Sequence, residues 1–411
     1  MTYRINRTRL WESIEHSATI GASKNGGLDR VSLTDSDRQV RDWLKRECSD
    51  AGCIVTTDDM GNMFARRPGC DSNRSPIVVG SHLDSQPSGG RYDGVLGVLA
   101  ALEVVRTLNA FHVKTRHPIE IVNWTNEEGT RFPPTMFGSA VFSGARSKHD
   151  AYEVKDQYGN TFLHELERIG YRGPEVCGDH PIAGYCELHI EQGPILEENH
   201  SQIGVVTGIQ GMRWYNIAIE GVAGHAGTTP MHLRRDAMVG AANVIERFRQ
   251  LSILYDRSAV VTAGSIAVSP GSRNVIADRA TVTLDVRHPN RKSLDDLERA
   301  FECEIGQIQN TFGLAIRLDR ILASDPVEFD PRCVDAVRTA ARSEGVSHLD
   351  IMSGATHDAA NIAPIAPTAM IFVPCADGVS HNEMESITPD DARAGTQILL
   401  GTVLQYDEIL S

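Results

Sequence analysis

Short apolar runs that stop abruptly at His, Asp or Glu recur along this chain, and they constrain its fold more than any other feature. Pro76 to Gly80 (PIVVG) reads as a buried strand and leads at once into Ser81-His82-Leu83-Asp84. A second loop, Gly89-Gly90-Arg91-Tyr92-Asp93-Gly94, opens a largely apolar helix from Val95 to Leu108, with Asp93 near its N-terminus. Pro118 to Trp124 (PIEIVNW) runs into Thr125-Asn126-Glu127-Glu128-Gly129. Gly184 to Ile190 (GYCELHI) carries His189 and runs into Glu191-Gln192-Gly193, and Thr368 to Val373 (TAMIFV) precedes a loop containing His381. Apolar runs of this length, bounded by Gly, Pro, Asn and Asp and separated by helix-period segments, predict an α/β layer.

Between these runs the order of elements changes. Strand Arg213 to Glu220, helix Arg235 to Leu251, strands Ala259 to Val268 and Ala280 to Arg287, helix Ser293 to Thr311 and strand Ala315 to Ile321 make a β-α-β-β-α-β series. This predicts a ferredoxin-like α+β domain, residues 212–328, inserted into a larger domain made of 1–211 and 329–411. A chain of 411 residues exceeds the usual size of a single domain, so two are expected.

Composition narrows the partners. Forty Lys and Arg against 54 Asp and Glu give a formal charge of −14 with no basic cluster, so no nucleic-acid partner is expected. No run has the length and apolar character of a signal core or membrane span, which predicts a cytoplasmic protein without membrane contact. Cys48, Cys53, Cys70, Cys177, Cys186, Cys303, Cys333 and Cys375 form no CxxC pair, so reduced and mostly buried thiols are expected rather than a disulfide frame or thiolate zinc site.

The chemistry lies where the polar residues fall, because ligands of open α/β sheets gather beyond the carboxyl ends of the strands. Imidazole with carboxylate and no thiolate suits Zn, Mn, Co or Ni. Five such residues can hold two divalent ions if one carboxylate bridges them, at the roughly 3.5–4 Å spacing of two-metal hydrolases. Glu127 and Glu128 are consecutive at a strand end, so their side chains diverge and one can ligate while the other moves a proton. Asp84, two residues after His82, is placed to steady that imidazole. The Gly89-Gly90 spacing fits no nucleotide fingerprint, and no GxGxxG follows the first strands, which argues against a hydride-transfer enzyme.

Seven strings, in order across nearly the whole chain, resemble the M20-type metallopeptidase superfamily and, within it, the hydantoinase/carbamoylase amidases. They are GSHLDSQPSGGRYDGVLGV (from Gly80), NEEGTRF (from Asn126), HIEQGPILE (from His189), GHAGTTPM (from Gly224), RNVIADRATVTLDVRHP (from Arg273), SGATHDA (from Ser353) and GVSHNEMES (from Gly378). The resemblance implies a mixed-sheet, metallo-exopeptidase-like catalytic domain whose insert serves as lid and dimerisation domain in a homodimer. It implies two divalent metal ions per subunit, one on His82, Asp93 and His189, the other on Asp93, Glu128 and His381, with Glu127 as general base. It places Gln192, His225, Asn274 and Arg287 at the substrate, Arg287 forking onto an amino-acid carboxylate and His225 at the reacting carbonyl. Thr356 stands where relatives commonly carry Gly, beside His357 and Asp358, which match as supporting loop residues.

The expected activity is hydrolysis of N-carbamoyl-L-amino acids to amino acid, carbon dioxide and ammonia. Hydrolysis of 3-ureidopropionate, allantoate or another N-acyl amino acid shares the same mechanism. A non-catalytic metal- or ligand-binding protein is the alternative of a different class, and the presence of all five ligands with a base argues against it.

Overall fold

Four apolar runs form strands buried on both faces: Ile77–His82, Ile119–Trp124, Gly184–Ile190 and Thr368–Val373 expose no residue to solvent. A layer apolar on both sides must be covered by helices on both faces, which favours parallel pairing. The computed structural model describes residues 3–71 and 73–410. By contacts the chain separates into two units, Met1–Gly208 with Glu328–Ser411, and Ile209–Val327.

In chain order the first strands are β1 (Ile54–Thr57), β2 (Met63–Arg67), β3 (Ile77–His82), β4 (Ile119–Trp124), β5 (Gly184–Ile190) and β6 (Ile203–Ile209). Next come β7 (Gly211–Glu220), β8 (Gly224–His225), β9 (Val260–Ser269), β10 (Val275–Ile276), β11 (Arg279–His288) and β12 (Ala315–Ser324). The last are β13 (Val327–Glu328), β14 (His348–Ser353) and β15 (Thr368–Val373).

The larger unit is built on a nine-stranded sheet of order β1-β2-β4-β3-β5-β15-β6-β13, with β14 on β6. Its centre, β4-β3-β5-β15, is parallel, while β1 and β2 on one side and β6 on the other add antiparallel pairs. The expected mixed sheet is therefore present. The helix Val95–Ala110 is buried around its circumference save at Arg106, Asn109 and Ala110, as a helix apolar on every side must be. It packs on the sheet beside Pro389–Ile409. That helix begins in a capping box in which Thr388 and Asp391 satisfy each other's backbone N–H groups, an arrangement worth about 1 kcal/mol.

The smaller unit is an antiparallel sheet of order β12-β7-β11-β9 with helices Ala237–Tyr255 and Arg291–Phe312, the ferredoxin-like arrangement expected from the element order. Its core holds Ile217, Val282 and the stacked rings of Phe248 and Phe301, 4.0 Å apart, a contact worth about 0.5–1.5 kcal/mol beyond area burial. The first helix starts at Ala237 rather than Arg235 because Asp236 caps it, accepting the N–H groups of Met238 and Val239. It also runs past Leu251 to Tyr255. Along β11, Arg279 lies opposite Glu220 and Arg287 opposite Met212, so these arginines mark the two ends of the strand.

Candidate metal centre

β3 runs on through Ser81 to His82 rather than stopping at Gly80, and β4 is followed at once by the loop carrying Glu127 and Glu128. His189 is the penultimate residue of β5, and the loop beyond β15 delivers His381. Because the four strands are parallel, these groups arrive at one end of the sheet. His82 Nε2 and His189 Nε2 lie 3.4 and 3.1 Å from Asp93 Oδ1. His381 Nε2 lies 3.5 Å from Asp93 Oδ2 and 3.6 Å from Glu128 Oε2. Two ligand groups result, His82-Asp93-His189 and Asp93-Glu128-His381, each with its donor atoms within 4.8 Å of one another. Asp93 belongs to both. Glu127 belongs to neither and stands beside them, its Oε2 3.5 Å from His82 Nε2.

Local backbone geometry sets these positions. Asn126, Gln192 and His381 have φ of 59°, 60° and 53°, a left-handed conformation uncommon outside glycine and concentrated at functional sites. Gly94 also lies at positive φ, and a Cβ there would fall 2.3 Å from His82 Nε2. Only glycine at the start of the helix allows the His82 ring this close to Asp93.

The imidazoles are oriented by carbonyls, His82 Nδ1 at 2.9 Å from Asp84 O and His189 Nδ1 at 2.9 Å from Ile190 O, which directs each Nε2 to the cluster. The Asp84 side chain acts differently from expectation. Its oxygens accept the backbone N–H groups of Glu127 and Glu128 at 3.3 and 3.2 Å, whereas its Oδ1 is 3.9 Å from His82 Nδ1. Its peptide carbonyl steadies the ring and its carboxyl holds the Glu pair.

Gln192 Nε2 donates to Asp93 Oδ2 at 2.7 Å, and Gln86 donates to Glu128 from its backbone N–H at 3.1 Å and from its side chain at 2.5 Å. Next to this cluster, Glu187 accepts from Ser81, Tyr185 and the Ala359 N–H at 2.6, 3.0 and 3.2 Å. The buried His357 packs edge-on against His189, ring centroids 4.5 Å apart, and with Glu187 and His189 makes a third group of ligand-type atoms. Gln86, Glu187, Ser380 and Glu385 are additions to the sequence-derived set. Glu187 could have been found by strand period, since it shares a face of β5 with His189 two residues on.

Asp93, Glu127, Glu128 and Glu385 are all buried, and among the described residues none has a Lys or Arg partner. Burial alone would raise the Asp93 carboxyl, but His189 and His82 outweigh it and hold it well below the usual carboxylate range. Burial pushes Glu128 up to about 8, reinforced by the Asp93 charge. Burial also drives Glu127 well above its ordinary value, opposed by His82 and reinforced by Asp358. Charge in this cluster can be balanced only by protons on imidazole and carboxyl groups or by a cation. An imidazole–carboxylate donor set of this size fits divalent metal.

The other expected substrate residues lie in the smaller unit. His225 on β8 pairs with Val275 of β10, and Asn274 C=O accepts the N–H of Ala226 at 2.9 Å, so His225 and Asn274 are neighbours, both exposed. Arg287 is not with them. They belong to the Arg279 end of β11, while Arg287 stands eight residues along it, roughly 27 Å at about 3.4 Å per residue. Its guanidinium forks onto Asp285, two residues away on the same strand face, with Nη2 at 2.8 Å.

A mixed α/β sheet gathering histidines and carboxylates at its strand ends has the architecture of metal-dependent hydrolases. The chain belongs to peptidase family M20/M25/M40, whose model matches residues 78–405, and within it to the hydantoinase/carbamoylase amidases. It is 44% identical over 407 residues to an N-carbamoyl-L-amino-acid amidohydrolase of Rhizobium meliloti, covering 99% of this chain and 98% of that one. A crystal structure of a hydantoinase/carbamoylase family amidase from Burkholderia multivorans matches with a TM-score of 0.96, 47% identity and 99% of both chains. An allantoate amidohydrolase of Bacillus subtilis is 34% identical, covering 96% of each. Among the described residues no helix is long and apolar enough to cross a membrane.

Proposed function

We propose that this chain is a metal-dependent amidohydrolase that cleaves the carbamoyl C–N bond of N-carbamoyl-L-amino acids. The observation that carries this reading is the convergence of His82, Asp93, Glu128, His189 and His381 with Glu127 beside them. It occurs in a chain similar over nearly its whole length to an enzyme named for this reaction. His82, Asp93 and His189 would hold one ion and Asp93, Glu128 and His381 a second, and Zn, Mn, Co and Ni all suit the donors. Divalent ions bound there supply Lewis acidity toward the scissile carbonyl and the attacking water.

Glu127 takes a proton from the water as its oxygen adds to the carbonyl carbon, then delivers it to the amino-acid nitrogen as the C–N bond breaks. The amino acid leaves as the amine, and the carbamic acid left behind decomposes to carbon dioxide and ammonia. Gln192, Asn274 and Arg287 recognise the substrate, and His225 donates to the developing oxyanion. Eight unpaired cysteines fit a reducing, cytoplasmic setting.

The test is ammonia release from N-carbamoyl-L-amino acids, 3-ureidopropionate and allantoate, with acetyl and formyl amino acids as controls, before and after chelation. Release from N-carbamoyl-L-amino acids that a chelator abolishes and metal restores is expected. Activity only on allantoate would favour the second reading, which the Bacillus subtilis relative supports. Activity only on the controls would overturn both.

The insert, residues 212–328, acts as lid and dimerisation domain in this reading. One small substrate cannot reach both ends of β11, so in this reading one of the two sets, His225 with Asn274 or Arg287, serves the partner's substrate. Mixing inactive His225→Ala and Arg287→Ala proteins under subunit exchange should then restore about a quarter of wild-type activity, because half the dimers are hybrids with one intact site of two. A mixture that exchanges subunits yet stays as inactive as its parents would show that each site takes both residues from one subunit.

A further inference from the structure

Glu385 belongs to none of the ligand groups and has no part in the proton transfer above, yet it is only 2% exposed. Its Oε1 accepts the backbone N–H groups of Tyr92 and Asp93 at 2.8 and 3.1 Å. Ser380 Oγ lies 3.1 Å from Glu385 Oε2 and 2.9 Å from Asp93 Oδ2, joining the two carboxyls. The neighbouring loop is shaped around this group, since a Cβ on Gly90 would fall 1.9 Å from Glu385 Cδ. A buried carboxyl without a cationic partner is costly to keep. Here it connects two loops remote in sequence, one carrying Asp93 and the other carrying His381, which immediately follows Ser380.

We propose that Glu385 and Ser380 are positioning residues that hold Asp93 and His381 at ligand spacing before metal arrives. The proposal rests on the reading of Asp93 and His381 as metal ligands. It distinguishes side chains by their hydrogen-bonding roles. Gln at 385 still accepts both N–H groups through its oxygen and donates its amide to Ser380 Oγ, which keeps its single proton for Asp93. Asp is one methylene too short to reach both partners, and Ala removes the link.

The experiment is titration of the metal-free, full-length protein with Zn²⁺ and Mn²⁺ against a chromophoric chelator, with thermal unfolding of the metal-free proteins as the fold control. Glu385→Ala and Glu385→Asp should weaken at least one ion by about 10–100-fold, the loss usual for groups that orient ligands. Glu385→Gln should stay close to wild type, and metal-free unfolding should be unchanged. Ser380→Ala, which retains the buried acid, should also weaken binding, and it carries the test alone if Glu385→Ala does not fold. Wild-type affinity in a folded Ser380→Ala or Glu385→Ala protein overturns the proposal, as does a Gln variant as weak as Ala. Asp93→Ala, run in parallel, separates the two readings. If it too binds metal normally, the ligand assignment fails and this proposal with it, whereas loss in Asp93→Ala with normal Glu385 variants overturns the positioning role alone.

Discussion

Glu127→Gln is expected to keep its full complement of metal and to lose about 10²–10⁴-fold in kcat, roughly 3–5 kcal/mol of transition-state stabilisation. The substitution preserves shape but removes the ability to take a proton. Metal retention is expected because Glu127 lies outside both ligand groups. Its backbone N–H is fixed by Asp84 whatever side chain it carries. Metal analysis after gel filtration and ammonia release on a carbamoyl amino acid check the two halves separately. Near-normal turnover with metal intact would remove Glu127 from the role of base.

Asp93→Ala is expected to cost both ions and, with them, measurable turnover. Each Asp93 oxygen faces a different histidine set, Oδ1 toward His82 and His189 and Oδ2 toward His381. Removing the carboxylate therefore breaks both groups at once. His381→Ala, by contrast, should release one ion, because His82, Asp93 and His189 remain together. Metal stoichiometry of the two purified proteins provides the comparison, with circular dichroism to show that each is folded. One ion retained at wild-type affinity in Asp93→Ala would mean that the two groups do not share this residue.

Much of the catalytic layer is legible in the amino-acid order because fully buried parallel strands must be continuous apolar runs, and these end in residues with no business in a core. The limits of β5 and β15 match the runs GYCELHI and TAMIFV residue for residue. Strands β1, β2, β6, β13 and β14 go beyond those runs; β1, with no fully buried residue, lacks the continuous apolar signal. The expected ligands were readable because they lie at or beyond the ends of four strands, Asp93 sharing the stretch after β3 with no strand of its own. Glu385 was not, since its partners are backbone N–H groups nearly three hundred residues earlier, at Tyr92 and Asp93. The two roles of Asp84 were equally hidden: residue type gives no hint that the carbonyl, rather than the carboxyl, meets His82. The separation of Arg287 from His225 follows from the antiparallel pairing of β7 with β11, which sets the end of β7 that leads to His225 beside Arg279, and residue type alone does not show which strands pair.

The place of β15 between β5 and β6 also bears on how the protein is made. Those neighbours leave the ribosome before the insert, and β15 leaves after it. Until Thr368–Val373 is synthesised, β5 has its parallel neighbour β3 but lacks the one on its other side, and His381 does not yet exist. Such long-range closure is slow and leaves strand edges open while it waits. The Asp93-Glu128-His381 group is therefore incomplete until His381 has been made, and in the proposed reading an ion held by all three would mark a sheet in which β15 has taken its place.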